Sequence, residues 1–200
     1  MSGFNRSQLR NIGVCWIMQQ KKVIAISGMP GAGKGVASGA GKSLGFDVLV
    51  LGDVIREETE RRGIEATPKN MGNVMLELRA KEGVAVVVKR LLPKIESARS
   101  STVIVEGVRS MHELQELQSK HEVITVAIHA SPKTRFQRLL SRKRSDDPKT
   151  WEVFFERDSR ELNVGLGHVI ALADLVLINE GTIVGLQSEF KKEISRIGFV

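Results

Sequence analysis

Two hundred residues, 42% of them hydrophobic, suffice for one three-layer domain that buries about 70% of its unfolded surface, with no second core required. The single cysteine, Cys15, excludes an internal disulfide and a cysteine-rich zinc site, and the four histidines have no metal-ligand spacing. The net charge of +7 is local, because residues 1–46 hold six bases and no acid while the remaining 154 balance 24 bases against 23 acids, so a general nucleic-acid surface is not indicated.

Residues 1–20 are expected to form a disordered leader, with residues 21–200 as the single domain. Within the leader, Asn11 to Met18 is too short for a signal peptide and lacks a small-residue cleavage site. No apolar run approaches the ~20 residues that span a bilayer, so no membrane association and a cytoplasmic location are expected.

From there, apolar runs bounded by glycine or polar residues predict strands at Val23–Ile26, Val48–Leu51, Thr102–Val105, Val123–Ile128 and Leu175–Ile178. Helical spacing falls between them at Val36–Leu44, Asn70–Lys81, Val84–Ala98, Met111–Gln118, Pro132–Lys143 and Trp151–Leu162. Alternating strand and helix predicts a three-layer α/β/α sandwich around a mainly parallel five-stranded sheet. A helical insertion over about 57–100 and an arginine-rich lid over about 131–160 complete the expected domain.

Gly28-Met29-Pro30-Gly31-Ala32-Gly33-Lys34-Gly35 follows the first strand and opens the first helix. The glycines let backbone N–H groups turn inward around phosphate oxygens, the helix N-terminus adds its dipole, and Lys34 supplies a cation. Gly39-Ala40-Gly41-Lys42-Ser43 imitates this loop but has Val36 where the first glycine belongs and no strand before it. It is expected to be the weakly formed end of the helix, each glycine costing about 1 kcal/mol relative to alanine. Gly35 replaces the usual Ser or Thr, which leaves Ser38 as a partial substitute for the missing hydroxyl.

The loop, read as Gly-x-Pro-Gly-x-Gly-Lys-Gly, resembles that of adenylate kinases and their relatives, with Val36 where those enzymes continue with threonine. Gly52-Asp53-Val54-Ile55-Arg56 resembles the segment by which nucleoside monophosphate kinases hold their acceptor. Glu106-Gly107-Val108-Arg109 resembles the Asp-Gly-x-Pro-Arg segment of adenylate kinases, with glutamate for aspartate and valine for proline. The resemblance implies ATP and Mg2+ as cofactors, with residues 28–35 on the phosphates and Glu106 on the magnesium through water. It further implies that Asp53, Arg56 and Arg109 bind the acceptor. Arg56 could equally pair with Glu57 or Glu60 on its own helix.

Arg135, Arg138 and Arg142 share one helix face, with Arg144 beyond them and Arg157 on the next helix. The stretch from Arg144 to Arg160 resembles the lid closure of adenylate kinases, with Arg144 and Arg157 as its candidates, which implies that Arg138, Arg142, Arg144 and Arg157, together with Lys34 of the loop, neutralise the transferring phosphoryl group. Pairs of Glu156 with Arg160 and of Arg157 with Glu161 are the ordinary alternative. Ala173 to Gly181 resembles the last strand of dephospho-coenzyme A kinases, which makes Asn179 and Gly181 candidates for the adenine wall.

Over residues 21–197 the pattern is similar to an uncharacterised archaeal P-loop family related to both kinases. The implied activity is γ-phosphoryl transfer to a small nucleotide acceptor such as AMP. A dephospho-coenzyme A kinase-like activity, and a nucleotide-dependent switch or ATPase acting on a protein partner, remain open. No Asn-Lys-x-Asp guanine motif occurs, and the sequence leaves the oligomeric state undetermined.

Overall fold

The computed structural model describes residues 20–142 and 147–199. The expected leader up to residue 19 lies outside them, as does Arg144.

The strands are β1 (Lys22–Ser27), β2 (Asp47–Val50), β3 (Thr102–Glu106), β4 (Glu122–His129) and β5 (Leu175–Ile178). The helices are α1 (Lys34–Lys42), α2 (Leu51–Arg61), α3 (Pro68–Glu82), α4 (Val86–Glu96), α5 (Met111–Gln118), α6 (Pro132–Arg142), α7 (Trp151–Asn163), α8 (Leu166–Ala171) and α9 (Ile183–Arg196). Every strand pairing is parallel, in the order β2-β3-β1-β4-β5. Valine and isoleucine dominate β1 and β3 because both faces of a parallel sheet are covered.

Alternate residues of the strands feed two cores. Ile24, Ile26, Ile104, Val126, Ile128 and Leu177 meet α1 and α9 through Ala37, Ala40, Leu186, Phe190 and Ile194. On the opposite face Val23, Ala25, Val103 and Val105 meet apolar side chains of α2, α3, α4, α5 and α8.

Several helices start where the sequence supplies a hydroxyl cap. Thr67, Ser110, Thr150 and Thr182 each accept a backbone N–H three residues on. Leu51, expected at the end of a strand, instead begins α2, whose N-cap is Val50 with no side-chain cap. Asp53 lies in the first turn of α2, where its charge suits the helix dipole.

The β2-to-β3 crossover contains α2, α3 and α4, which Glu58 helps to join. This buried carboxylate accepts from Arg61 at the end of its own helix, from the C-cap residue Arg62 and from Arg90 on α4. Hydrogen bonds from Arg61 and then Arg62 hold its pKa down at about 2.

Gly41 departs from expectation. A Cβ there would stand 2.1 Å from Ile104 Cδ1, whereas one at Gly39 would meet nothing. Gly41 thus lets α1 lie close on β3, and only Gly39 fits the picture of a merely weakened helix end.

Candidate functional site

The sheet brings the carboxyl ends of β1, β3, β4 and β5 to one edge, the edge where open α/β folds bind ligands. The loop from Gly28 to Gly33 sits there in a conformation that glycine allows. Gly31 and Gly33 have φ of +82° and +106°. A Cβ on Gly31 would be 2.8 Å from the Arg135 carbonyl oxygen, and one on Gly33 would be 2.3 Å from Asn179 Nδ2.

Two side chains hold the outside of the loop. Asn179 Nδ2 donates to the Ala32 carbonyl at 2.8 Å, and Arg135 Nη1 donates to the Pro30 carbonyl at 3.2 Å. Arg135 also grips Asp158 of α7 with both Nη atoms, at 2.8 and 2.5 Å, and lies over the Phe154 ring. The face carrying Arg135, Arg138 and Arg142 is therefore not a bare positive stripe, because Arg135 is buried and neutralised. Sequence reasoning missed this structural arginine, since its partner Asp158 lies 23 residues away on another helix.

Lys34 Nζ donates to the Gly28 and Met29 carbonyls at 2.7 and 3.3 Å, which leaves one of its three donors for an incoming phosphate. Burial is the main reason its pKa falls to about 8, with Arg109 and then Arg157 acting in the same direction. Glu106 and Glu161 oppose the fall. Ser38, one helical turn beyond Lys34, donates from Oγ to Glu106 Oε2 at 2.6 Å.

A hydroxyl thus stands beside Glu106, one helical turn from the position where Gly35 offers none. A hydroxyl and one carboxylate suit magnesium, which takes few protein oxygens and keeps phosphate and water ligands. No cluster of three metal-binding side chains occurs among the described residues, so a metal cage made by protein alone is not available there.

The other expected site residues are distributed as follows. Asp53 and Arg56 approach each other at 3.9 Å on the exposed side of α2; Glu57 instead binds Lys94. Arg109 follows β3, where the Gly107 N–H donates to Ile26 O and Ser27 Oγ donates to Val108 O. Its Nε lies 3.2 Å from Glu161 Oε2 of α7. Arg157 is consequently not paired with Glu161; it lies 4.0 Å from Asp147 Oδ1, which also takes Arg142. The alternative pair of Glu156 with Arg160 is present at 4.0 Å.

Arg138 Nη2 reaches Asn179 Oδ1 at 3.3 Å, while its Nη1 is buried without a partner among the described residues. Arg138 also lines an open cleft of about 440 Å³ with Thr134, Gln137, Ser141 and Arg142. Gly181 touches nothing with its side-chain position.

Comparison with known proteins agrees with this architecture. Residues 27–154 match the family model described as an AAA domain. A UPF0200 protein of Hyperthermus butylicus is 46% identical over 175 residues, covering 88% of this chain and 94% of that protein. Among solved structures, a shikimate kinase from Bacteroides thetaiotaomicron has a TM-score of 0.58 at 16% identity, covering 88% of this chain and 97% of that one. A gluconokinase from Sinorhizobium meliloti has a TM-score of 0.55 at 15% identity, covering 88% and 93%. At such identities the two kinases show a shared fold alone. A parallel sheet, a lysine-bearing phosphate loop and close sequence kinship thus agree, and the chain belongs to the archaeal UPF0200 family of P-loop proteins with a kinase-like fold.

Proposed function

We propose that the protein transfers the γ-phosphoryl group of Mg-ATP to a small acceptor, with a nucleoside monophosphate such as AMP as the acceptor its arginines suit best. The observation that carries this reading is the grouping around Lys34 of Ser38, Glu106, Arg109, Arg157 and Glu161. Transfer of this kind needs little covalent chemistry from the protein. Positioning and charge neutralisation suffice.

The loop N–H groups and Lys34 receive the β- and γ-phosphates, and Asn179, which meets Arg138 and the Ala32 carbonyl, stands on the side of the base. Ser38 and Glu106 are the residues that would hold a magnesium ion, which would supply neutralisation of the phosphate charge. Arg138, Arg142, Arg144 and Arg157 take up charge that develops on the transferring group. Arg56 and Arg109 present planar forks to the acceptor's phosphate. An ATP-dependent activity of this kind belongs in the cytoplasm.

A second reading, transfer to a hydroxyl as in dephospho-coenzyme A kinases, draws support from Asp53. The carboxylate stands beside Arg56, and in this reading it orients the attacking hydroxyl. The shikimate kinase and gluconokinase neighbours fit the same idea. ATP consumption across a panel of nucleoside monophosphates, dephospho-coenzyme A and hydroxy acids separates the two. Release of ADP that is independent of every acceptor would instead indicate a switch or ATPase acting on a protein.

A further inference from the structure

Arg109 is fixed from two directions. Its backbone N–H donates to Glu113 Oε2 at 2.8 Å, and the other oxygen of this buried carboxylate accepts from Arg79 Nη2 of α3 at 2.9 Å. Its guanidinium comes closest to Glu161 of α7 at Nε, which lies 3.2 Å from Oε2, and the side chain keeps 42% of its exposure.

A guanidinium whose nearest approach to a carboxylate is at Nε can still offer its Nη atoms to two oxygens of a phosphate or carboxylate. Glu161 is only 18% exposed and close enough to Lys34 to act on its charge, so it stands at the phosphate loop and not on an outer helix face. An exposed ion pair would contribute little to stability, so its value here lies in orientation.

We propose that Glu161 is a positioning residue of the acceptor site, aiming the Arg109 fork at an acceptor oxyanion and making the grip depend on helix α7. The inference rests on the reading of Arg109 as an acceptor ligand. It adds a residue that neither the phosphate loop nor the arginine pattern indicates. The acceptor class follows: a molecule with an oxyanion to fill the fork, beside a carboxylate able to accept from a neighbouring hydroxyl.

The test uses the full chain with Mg-ATP and AMP. Glu161→Gln should raise the KM for AMP by about 10-fold and leave the KM for ATP within about 2-fold. In the Arg109→Ala background the same change should add less than about 2-fold, because Glu161 acts through Arg109. An unchanged KM for AMP, or full additivity of the two substitutions, overturns the proposal. Should Glu161→Gln fail to fold, Glu161→Asp replaces it and should raise the same KM.

If the wild-type protein does not use AMP, that acceptor falls while the positioning role is still decided. The Arg109 side-chain signal in nitrogen-15 NMR spectra of the free protein should shift when Glu161→Gln removes the ion pair. An unshifted signal in the variant overturns the proposal.

Discussion

Ser38 and Glu106 are 68 positions apart in sequence and 2.6 Å apart at the phosphate loop. In the proposed function this hydroxyl and carboxylate would hold the phosphate-bound magnesium. Ser38→Ala should therefore raise the Mg2+ concentration for half-maximal activity by about 10-fold, and Glu106→Gln should lower kcat by about 100-fold. Magnesium titrations of the two variants against wild type check this. Activity of Glu106→Gln equal to wild type would remove Glu106 from the metal site.

Lys34→Ala should cost about 10³-fold or more in transfer, while Lys42→Ala, beyond the loop, should be nearly silent. The pH dependence follows from burial of Lys34. With a folded pKa near 8 and an unfolded value near 10.4, the unfolded chain holds this proton more tightly between those limits. Stability of the free protein should therefore rise as pH climbs through that window, and the rise should vanish in Lys34→Met. Denaturant melts from pH 7 to 10 measure it. In parallel, kcat/KM, which reports the free enzyme, should fall as pH rises through about 8.

The arginines of α6 and α7 divide into two classes. Removing Arg142 or Arg157, both beside Asp147, should lower kcat by up to about 10³-fold with ATP affinity less affected. Arg135 should behave differently, because it serves Asp158 and the Pro30 carbonyl. Arg135→Met leaves a buried carboxylate unpaired and should destabilise the fold by about 3–5 kcal/mol. Calorimetric melts together with steady-state kinetics separate the classes. A kinetically dead but fully stable Arg135→Met would reverse the assignment.

The two glycines of α1 give opposite expectations. Gly39→Ala faces open space and should stabilise the protein by about 1 kcal/mol, the ordinary helix preference. Gly41→Ala drives a methyl into Ile104 and should destabilise it by about 1–3 kcal/mol. Ile104→Val removes the Cδ1 that collides and should recover part of that loss. Equal effects of the two alanines in urea melts would mean that α1 does not lean on β3 through Gly41.

The alternation of apolar runs was enough to place five parallel strands, since buried strands leave a local signal. The phosphate loop was legible for the same reason, its glycines and Lys34 being contiguous. Boundaries failed where packing decides them, as at Leu51, which the sheet passes to α2. The pair of Glu156 with Arg160, within one helix, was legible, but that of Arg157 with Glu161 failed because partner choice there depends on the approach of distant elements. Nothing local to Arg135 announces Asp158, and nothing local to Glu161 announces Arg109 in preference to Arg157. The Ser110-x-x-Glu113 spacing was a usable signal that Glu113 works at the start of α5. Its second task, beneath Arg109 and against Arg79, required the fold.

The bonds from Asn179 to Ala32 and from Arg135 to Pro30 tie the phosphate loop to the far end of β5 and to α6. The surrounding fold thereby holds the loop in place with no ligand present. In the proposed function the ordering of the loop would be met once, during folding, and donor capture would not have to repeat it. The exposed α2 arginine would then be the part left to adapt to the acceptor.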